Sequence, residues 1–125
     1  MTKLYHLRAG KLLETESAED SIWVDLHSPS REDEIAMEKL LGIELPTRED
    51  MEEIEISSRL YEEAGGVFMT VQLPSATEDD TTQMGPVTFV LVEGKLITIR
   101  YHDPRTFTTF PVRAARTAIA GKDRL

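Results

Sequence analysis

Val87-Thr88-Phe89-Val90-Leu91-Val92, the pair Glu93-Gly94, and Lys95-Leu96-Ile97-Thr98-Ile99-Arg100-Tyr101 decide the fold of this chain. Two β-rich runs joined by two residues, with glycine second, are the signature of a tight hairpin. The first run is apolar at nearly every position. A strand facing water on one side alternates polar and apolar residues, so an unbroken apolar run implies burial on both faces. Such a strand needs cover above and below. The expected class is α/β (α+β): a mixed β-sheet layered between helices, an α/β/α sandwich.

The rest of the chain supplies the parts. Leu4 to Arg8 and Lys11 to Thr15 flank Ala9-Gly10 and read as a small hairpin, and Ile22-Trp23-Val24-Asp25-Leu26 follows as a strand. A first helix begins near Ser28-Pro29-Ser30. Either Ser30 caps it with Asp33 three residues on, or Ser28 caps it with Pro29 in the first turn. Met37, Leu40 and Leu41, with Ala36 beside Leu40, form one apolar stripe at helical spacing, and Gly42 stops the helix. Thr47 with Asp50 repeats the capping pattern for a short acidic helix whose inward face is Met51 and Ile54. Arg59 to Glu63 and Val67 to Leu73 flank Ala64-Gly65-Gly66 as another hairpin, and Pro74 to Met84 reads as a polar loop. Pro111 to Ala120 reads as a closing helix that ends at Gly121. Lys122-Asp123-Arg124-Leu125 completes no element, so the sequence reads as a C-terminally truncated fragment.

The chain has 125 residues, the length of one domain that can bury a core without cross-links. Its 30% charged and 40% apolar content excludes wholesale disorder. No cysteine is present, which removes disulfides and thiolate metal sites and fits a reducing compartment. Fourteen basic residues against 23 acidic ones leave a net charge of -9, which opposes binding to nucleic acid phosphates or to an anionic membrane. No apolar run approaches the roughly 20 residues that a membrane helix needs.

The acid is concentrated. Glu44, Glu49, Asp50, Glu52, Glu53 and Glu55 crowd one stretch in which Arg48 is the only base. Mutual repulsion there favours whatever brings positive charge. Carboxylates without histidine or cysteine suit magnesium, calcium or manganese better than zinc. From spacing alone a solvated acidic helix face is the commoner explanation, and Glu49 and Asp50 also suit the positive end of the helix dipole.

Motifs for bond-breaking chemistry are missing. There is no Gly-x-Ser-x-Gly elbow, no glycine-rich phosphate loop and no His-Glu-x-x-His. His6, His27 and His102 lie in separate segments and read as surface or sheet-edge residues. Ser57 and Ser58 have no base at a recognisable spacing and read as the link from helix to strand. Arg59 is expected to clamp a neighbouring glutamate, Tyr61 to pack edge-on in the sheet, and Trp23 to anchor the core with its ring nitrogen bonded. The chain is not expected to be an enzyme.

Taken in order, Trp23-Val24-Asp25-Leu26, Pro29-Ser30-Arg31-Glu32-Asp33, Leu41-Gly42-Ile43-Glu44-Leu45-Pro46-Thr47, Ser58-Arg59-Leu60-Tyr61-Glu62-Glu63 and Ile99-Arg100-Tyr101-His102-Asp103-Pro104 resemble the cytosolic amino-terminal domain of CorA-type divalent-cation transporters. The resemblance spans nearly the whole chain. It implies a homopentamer at the bacterial inner membrane whose soluble α/β/α domain, on the cytoplasmic side, feeds a stalk helix and two membrane helices. Residues 1–125 would be that single soluble regulatory domain, without stalk, membrane helices or the Gly-Met-Asn signature, and a monomer or weak dimer in isolation. The related zinc transporters share this layout, so the resemblance leaves the ion among Mg2+, Co2+, Ni2+ and Zn2+.

The resemblance also implies a regulatory Mg2+ site between subunits, formed by carboxylates just ahead of the strand that follows Arg59. The matching region is Glu49 to Glu55, with Glu49, Asp50, Glu52 and Glu53 as the candidate ligands. Counting back from Arg59, the family's acidic ligand falls at Glu52, and Met51 replaces the acidic residue before it. Two other readings stand beside this one. The first is a standalone oligomerisation or protein-binding module that uses no metal. The second is a small metal-assisted hydrolase with the same carboxylates and His102 or His27 as proton carrier.

Overall fold

The computed structural model describes residues 2–53, 60–75, 84–107 and 111. They form strands β1 (Thr2–Arg8), β2 (Lys11–Thr15) and β3 (Trp23–His27), helices α1 (Arg31–Leu41) and α2 (Arg48–Glu53), and strands β4 (Leu60–Glu63), β5 (Gly66–Pro74), β6 (Met84–Val92) and β7 (Lys95–Arg100). The seven strands make one sheet in the order β2-β1-β3-β7-β6-β5-β4. Every pairing is antiparallel except β3 with β7, which makes the sheet mixed, as expected.

Three hairpin turns share one geometry. Ala9-Gly10, Ala64-Gly65 and Glu93-Gly94 all have positive φ at both residues, the conformation whose twist matches the flanking strands. Gly66 is therefore a strand residue paired with Glu63, although composition alone puts it in the turn. The expected loop from Pro74 to Met84 loses both its ends to strands, and β6 starts at Met84, three residues before the expected Val87: Met84, Gly85 and Pro86 pair with Pro74, Leu73 and Gln72.

Helix α1 resolves its open start. Ser30 is the cap: its side chain accepts from the Asp33 amide and the Asp33 carboxylate accepts from the Ser30 amide. Gly42 closes the helix at φ 70°, a left-handed conformation that costs other residues. The inward face corrects the expected stripe. Glu34, Met37 and Leu41 are buried, whereas Ala36 and Leu40 face outward. Ile43 and Leu45, just beyond the helix, take the core positions instead.

One face of the sheet carries the main core. Val24, Leu26, Phe68, Val90, Ile97 and Ile99 pack against Met37 and Leu41 of α1 and Met51 of α2. Both described helices thus cover the same face. The opposite face holds Tyr5, Leu12 and Trp23, with Leu7, Leu96 and Phe107 against them. Phe107 arrives there through the bend at residues 101–105. The expected helix from Pro111 to Ala120 lies outside the described residues except for Pro111 itself.

Candidate functional site

Helix α2 is capped by Thr47, whose hydroxyl accepts from the Asp50 amide at 3.1 Å while the Asp50 carboxylate accepts from the Thr47 amide at 3.0 Å. This reciprocal cap starts a helix too short to persist alone. Met51 is the other fastener, almost fully buried beneath the helix. With one apolar residue inward, Glu49, Asp50, Glu52 and Glu53 all face solvent.

The four candidate residues are not equivalent. Asp50 has one oxygen committed to the cap. Glu52 accepts from Arg48 Nε at 3.1 Å, an exposed i,i+4 pair. Glu49 and Glu53 make no ion pair among the described residues and stand four residues apart on one helical line, a like-charge spacing that is unfavourable. No group of three or more acidic or histidine side chains among the described residues is arranged to hold a metal ion. Ile54, Glu55, Ser57, Ser58 and Arg59 fall outside the described residues.

Around the helix lies a set of polar contacts absent from the sequence reading. The Arg48 guanidinium sits 5.1 Å from the centre of the Tyr101 ring. The Tyr101 hydroxyl donates to Glu34 Oε1 at 3.2 Å, and Glu34 is gripped on its other oxygen by Arg31 at 2.9 Å. Burial first, then the Glu34 charge and hydrogen bond, push the Tyr101 phenol up to about 12. A separate open cleft of about 410 Å³, which no α2 residue lines, is bounded by Glu38, Glu44 and Glu63 over Phe68. Glu38 is already committed there, accepting from the Leu45 amide at 3.0 Å.

The histidines are structural or peripheral. His102 Nε2 lies 2.9 Å from the Leu73 carbonyl, and its ring occupies the space a side chain on Gly85 would need: a Cβ there would come within 2.8 Å. His27 is half-buried at the end of β3, and burial followed by the Arg100 charge lowers its pKa. Tyr61 lies flat on Phe68, with ring centres 4.9 Å apart and planes 1° from parallel, which corrects the edge-on expectation.

Trp23 behaves as expected of an anchor. Its Nε1 donates to Thr98 Oγ1 at 3.0 Å. Two further contacts escape the sequence reading: Thr98 Oγ1 donates to Asp25 at 2.9 Å, and Arg100 meets the same carboxylate at 2.8 Å through Nη2. Asp25 is 2% exposed and Arg100 5%. The same guanidinium donates to the His102 carbonyl at 2.9 Å and to Asp103 at 3.1 Å, and lies 4.6 Å from the Phe107 ring centre. A signal existed in the sequence. A lone acid in Trp23-Val24-Asp25-Leu26 and a lone base in Ile99-Arg100 interrupt two apolar strands, and buried charges require partners.

Comparison with known proteins places this geometry. The family model described as CorA-like Mg2+ transporter protein matches residues 18–121. The chain is 29% identical over 106 residues to the magnesium transport protein CorA of Salmonella typhimurium, a match over 85% of this chain and 34% of that protein. It is 31% identical over 115 residues to the same-named protein of Pectobacterium atrosepticum, over 90% and 36% respectively. The chain thus spans about a third of the length of these relatives. Among solved structures, the complete CorA magnesium transporter of Methanocaldococcus jannaschii superposes with a TM-score of 0.68 at 16% identity, covering 100% of this chain and 40% of that one. The soluble domain of CorA from the same organism gives 0.63 at 17% identity, over 94% and 49%. The fold is therefore that of the CorA soluble domain. No described helix is long and apolar enough to cross a membrane. With a match spanning most of its length, the chain belongs to the CorA-like Mg2+ transporter family.

Proposed function

We propose that this chain is the cytosolic regulatory domain of a divalent-cation transporter and that α2 senses internal Mg2+ for a homopentameric channel at the inner membrane. The observation that carries the reading is a short helix, in a chain of this family, that turns Glu49, Glu52 and Glu53 to solvent and leaves two of them without a counter-ion among the described residues. The donor set fits Mg2+, since it is oxygen only and exposed enough to share the ion with water. Asp50, committed to its cap, would contribute its remaining oxygen. Co2+, Ni2+ and Zn2+ are the alternatives the same carboxylates would meet.

The carboxylates act by repulsion. Two unit charges about 4 Å apart at an effective dielectric of 20 interact by about 4 kcal/mol, so acidic helices facing a neighbouring subunit's carboxylates push the ring apart and favour the open state. A bound cation supplies the charge that cancels this repulsion. Glu49, Glu52 and Glu53 thereby bias the ring toward closure when Mg2+ is plentiful and release it when Mg2+ is scarce.

Transport by the full-length protein tests this. Replacing Glu49, Glu52 and Glu53 together by Gln removes both the repulsion and the cation ligands, so uptake is expected to lose its dependence on internal Mg2+. Unchanged inhibition would overturn the reading.

A second reading, a protein-binding module, draws on one observation. Leu60, Met69 and Leu91 are 66%, 42% and 56% exposed and lie on the same face of neighbouring strands. Concentration-dependent self-association of the 125-residue chain, lost on Leu91→Ser, would favour it.

A further inference from the structure

Arg48 stands where its charge is unwelcome. It is the first residue of α2, and a cation at a helix amino terminus opposes the helix dipole. Its order relative to Glu52, base before acid, is also the less favourable one for an i,i+4 pair. Capping does not explain it, since Thr47 and Asp50 already perform that role. Arg48 instead touches two things that belong to different parts of the fold. These are the Glu52 carboxylate at 3.1 Å and the Tyr101 ring at 5.1 Å.

Tyr101 is the first residue beyond β7, where the chain leaves the sheet. Its hydroxyl is fixed to Glu34, which is buried and held in turn by Arg31. The ring is therefore a firm platform, whereas the Arg48–Glu52 pair is half-exposed on both sides. Exposed pairs of this kind are worth only about a twofold change in an equilibrium constant, so Glu52 can exchange partners readily.

We infer that Arg48 is the internal counter-ion of Glu52 in the cation-free domain and that it reports the exchange of partners to Tyr101. This rests on the proposal that α2 senses a divalent cation. When Glu52 turns to the cation, the guanidinium loses its carboxylate and keeps only the aromatic face. The change then reaches the point where the chain leaves the sheet. Arg48 thus competes with the ion and couples its binding to the exit segment.

The test uses the 125-residue chain with 13C-labelled tyrosine, the Tyr101 ring signal being assigned through Tyr101→Phe. Without metal, Glu52→Gln frees Arg48 and is expected to move the Tyr101 signal, and Arg48→Gln to move it further by removing the stack. A Tyr101 signal unchanged in both overturns the coupling, whatever the metal does. For the metal arms the full-length protein is used, because it supplies the neighbouring subunit's carboxylates: with Mg2+ followed by calorimetry, and Mn2+ followed by paramagnetic broadening, wild type is expected to bind at α2 and shift Tyr101. Arg48→Gln is expected to bind Mg2+ about threefold more tightly, from the lost pair and the lost like charge, with no Mg2+-dependent shift of Tyr101. Equal Mg2+ affinity in wild type and Arg48→Gln, with broadening at α2 still removed by Glu52→Gln, overturns the competition and spares the sensing reading. Broadening that survives replacement of Glu49, Glu52 and Glu53 together overturns the sensing reading and the inference with it.

Discussion

The two faces of the sheet are held by different physics. Under α1 and α2 the contacts are mainly apolar, from Val24 and Ile97 to Met51, with Glu34 and the hydrogen-bonded Thr70 and Thr88 as buried polar exceptions, and the strength of the apolar contacts scales with the area withdrawn from water. On the opposite face, Asp25 and Arg100 form a fully desolvated ion pair flanked by Thr98, Trp23 and Phe107. Farther along that face Leu60, Met69 and Leu91 lie open. An apolar face tolerates loss in proportion to the volume removed. A face organised on one ion pair fails when either partner is removed, because the survivor is left buried and uncompensated.

The largest effect should come from Asp25→Ala, which strands Arg100. A loss of about 3–5 kcal/mol in urea unfolding is expected, and less than about 1 kcal/mol would show that water reaches the pair. Asp25→Leu with Arg100→Met sharpens the point. Replacing both charges should recover much of that loss, but not all, because Arg100 also holds the His102 carbonyl and Asp103. On the apolar face, Ile97→Ala should cost about 2–5 kcal/mol and Ile97→Val about 0.5–1.5 kcal/mol. A graded pair of values is the signature of packing. Leu91→Thr, on the open part of the other face, should fall within about 0.5 kcal/mol of wild type; a larger loss would mean that residues outside the described ones cover it.

The smallest effect is a slope with pH. Burial, then the charges of Glu14 and Asp25, raise the Tyr5 phenol to about 12. A group whose folded pKa lies above its unfolded value of about 10 stabilises the fold fully below pH 10 and loses that contribution as pH rises toward 12. Stability should therefore fall over that window, and Tyr5→Phe should flatten the fall. An identical slope in the variant would assign the effect to other tyrosines.

Local features were the legible ones. Glycine as second residue of a two-residue link located the Ala9-Gly10 and Glu93-Gly94 hairpins, and Ser30 with Asp33 was one of two starts open for α1. What escaped was set by distance along the chain. The Asp25–Arg100 pair joins residues 75 apart through a parallel pairing that no spacing rule foresees. Leu40 shows the same limit at shorter range, since its spacing fits the buried stripe, but Ile43 and Leu45 fold back to fill the core instead. Gly85-Pro86 lay outside the expected strand from Val87, since both residues usually break strands. Here the glycine makes room for the His102 ring. For the acidic helix, the Thr47–Asp50 cap was legible in the sequence, and the structure added the pairing with Arg48 that distinguishes Glu52 from Glu49 and Glu53.

The parallel pairing of β3 with β7 also sets a timetable for the growing chain. β1 to β3 can pair as they leave the ribosome, but the second edge of β3 finds its partner only after some 73 further residues, the separation of Asp25 and Thr98. At about 5–20 residues per second of synthesis, that edge waits for roughly 4–15 s, long enough to meet the wrong strand. A charge pointing inward from an open edge discourages such pairing. Asp25 thus guards the nascent β3 until Arg100 emerges to neutralise it, and a register one residue out would turn the two charges to opposite sides of the sheet.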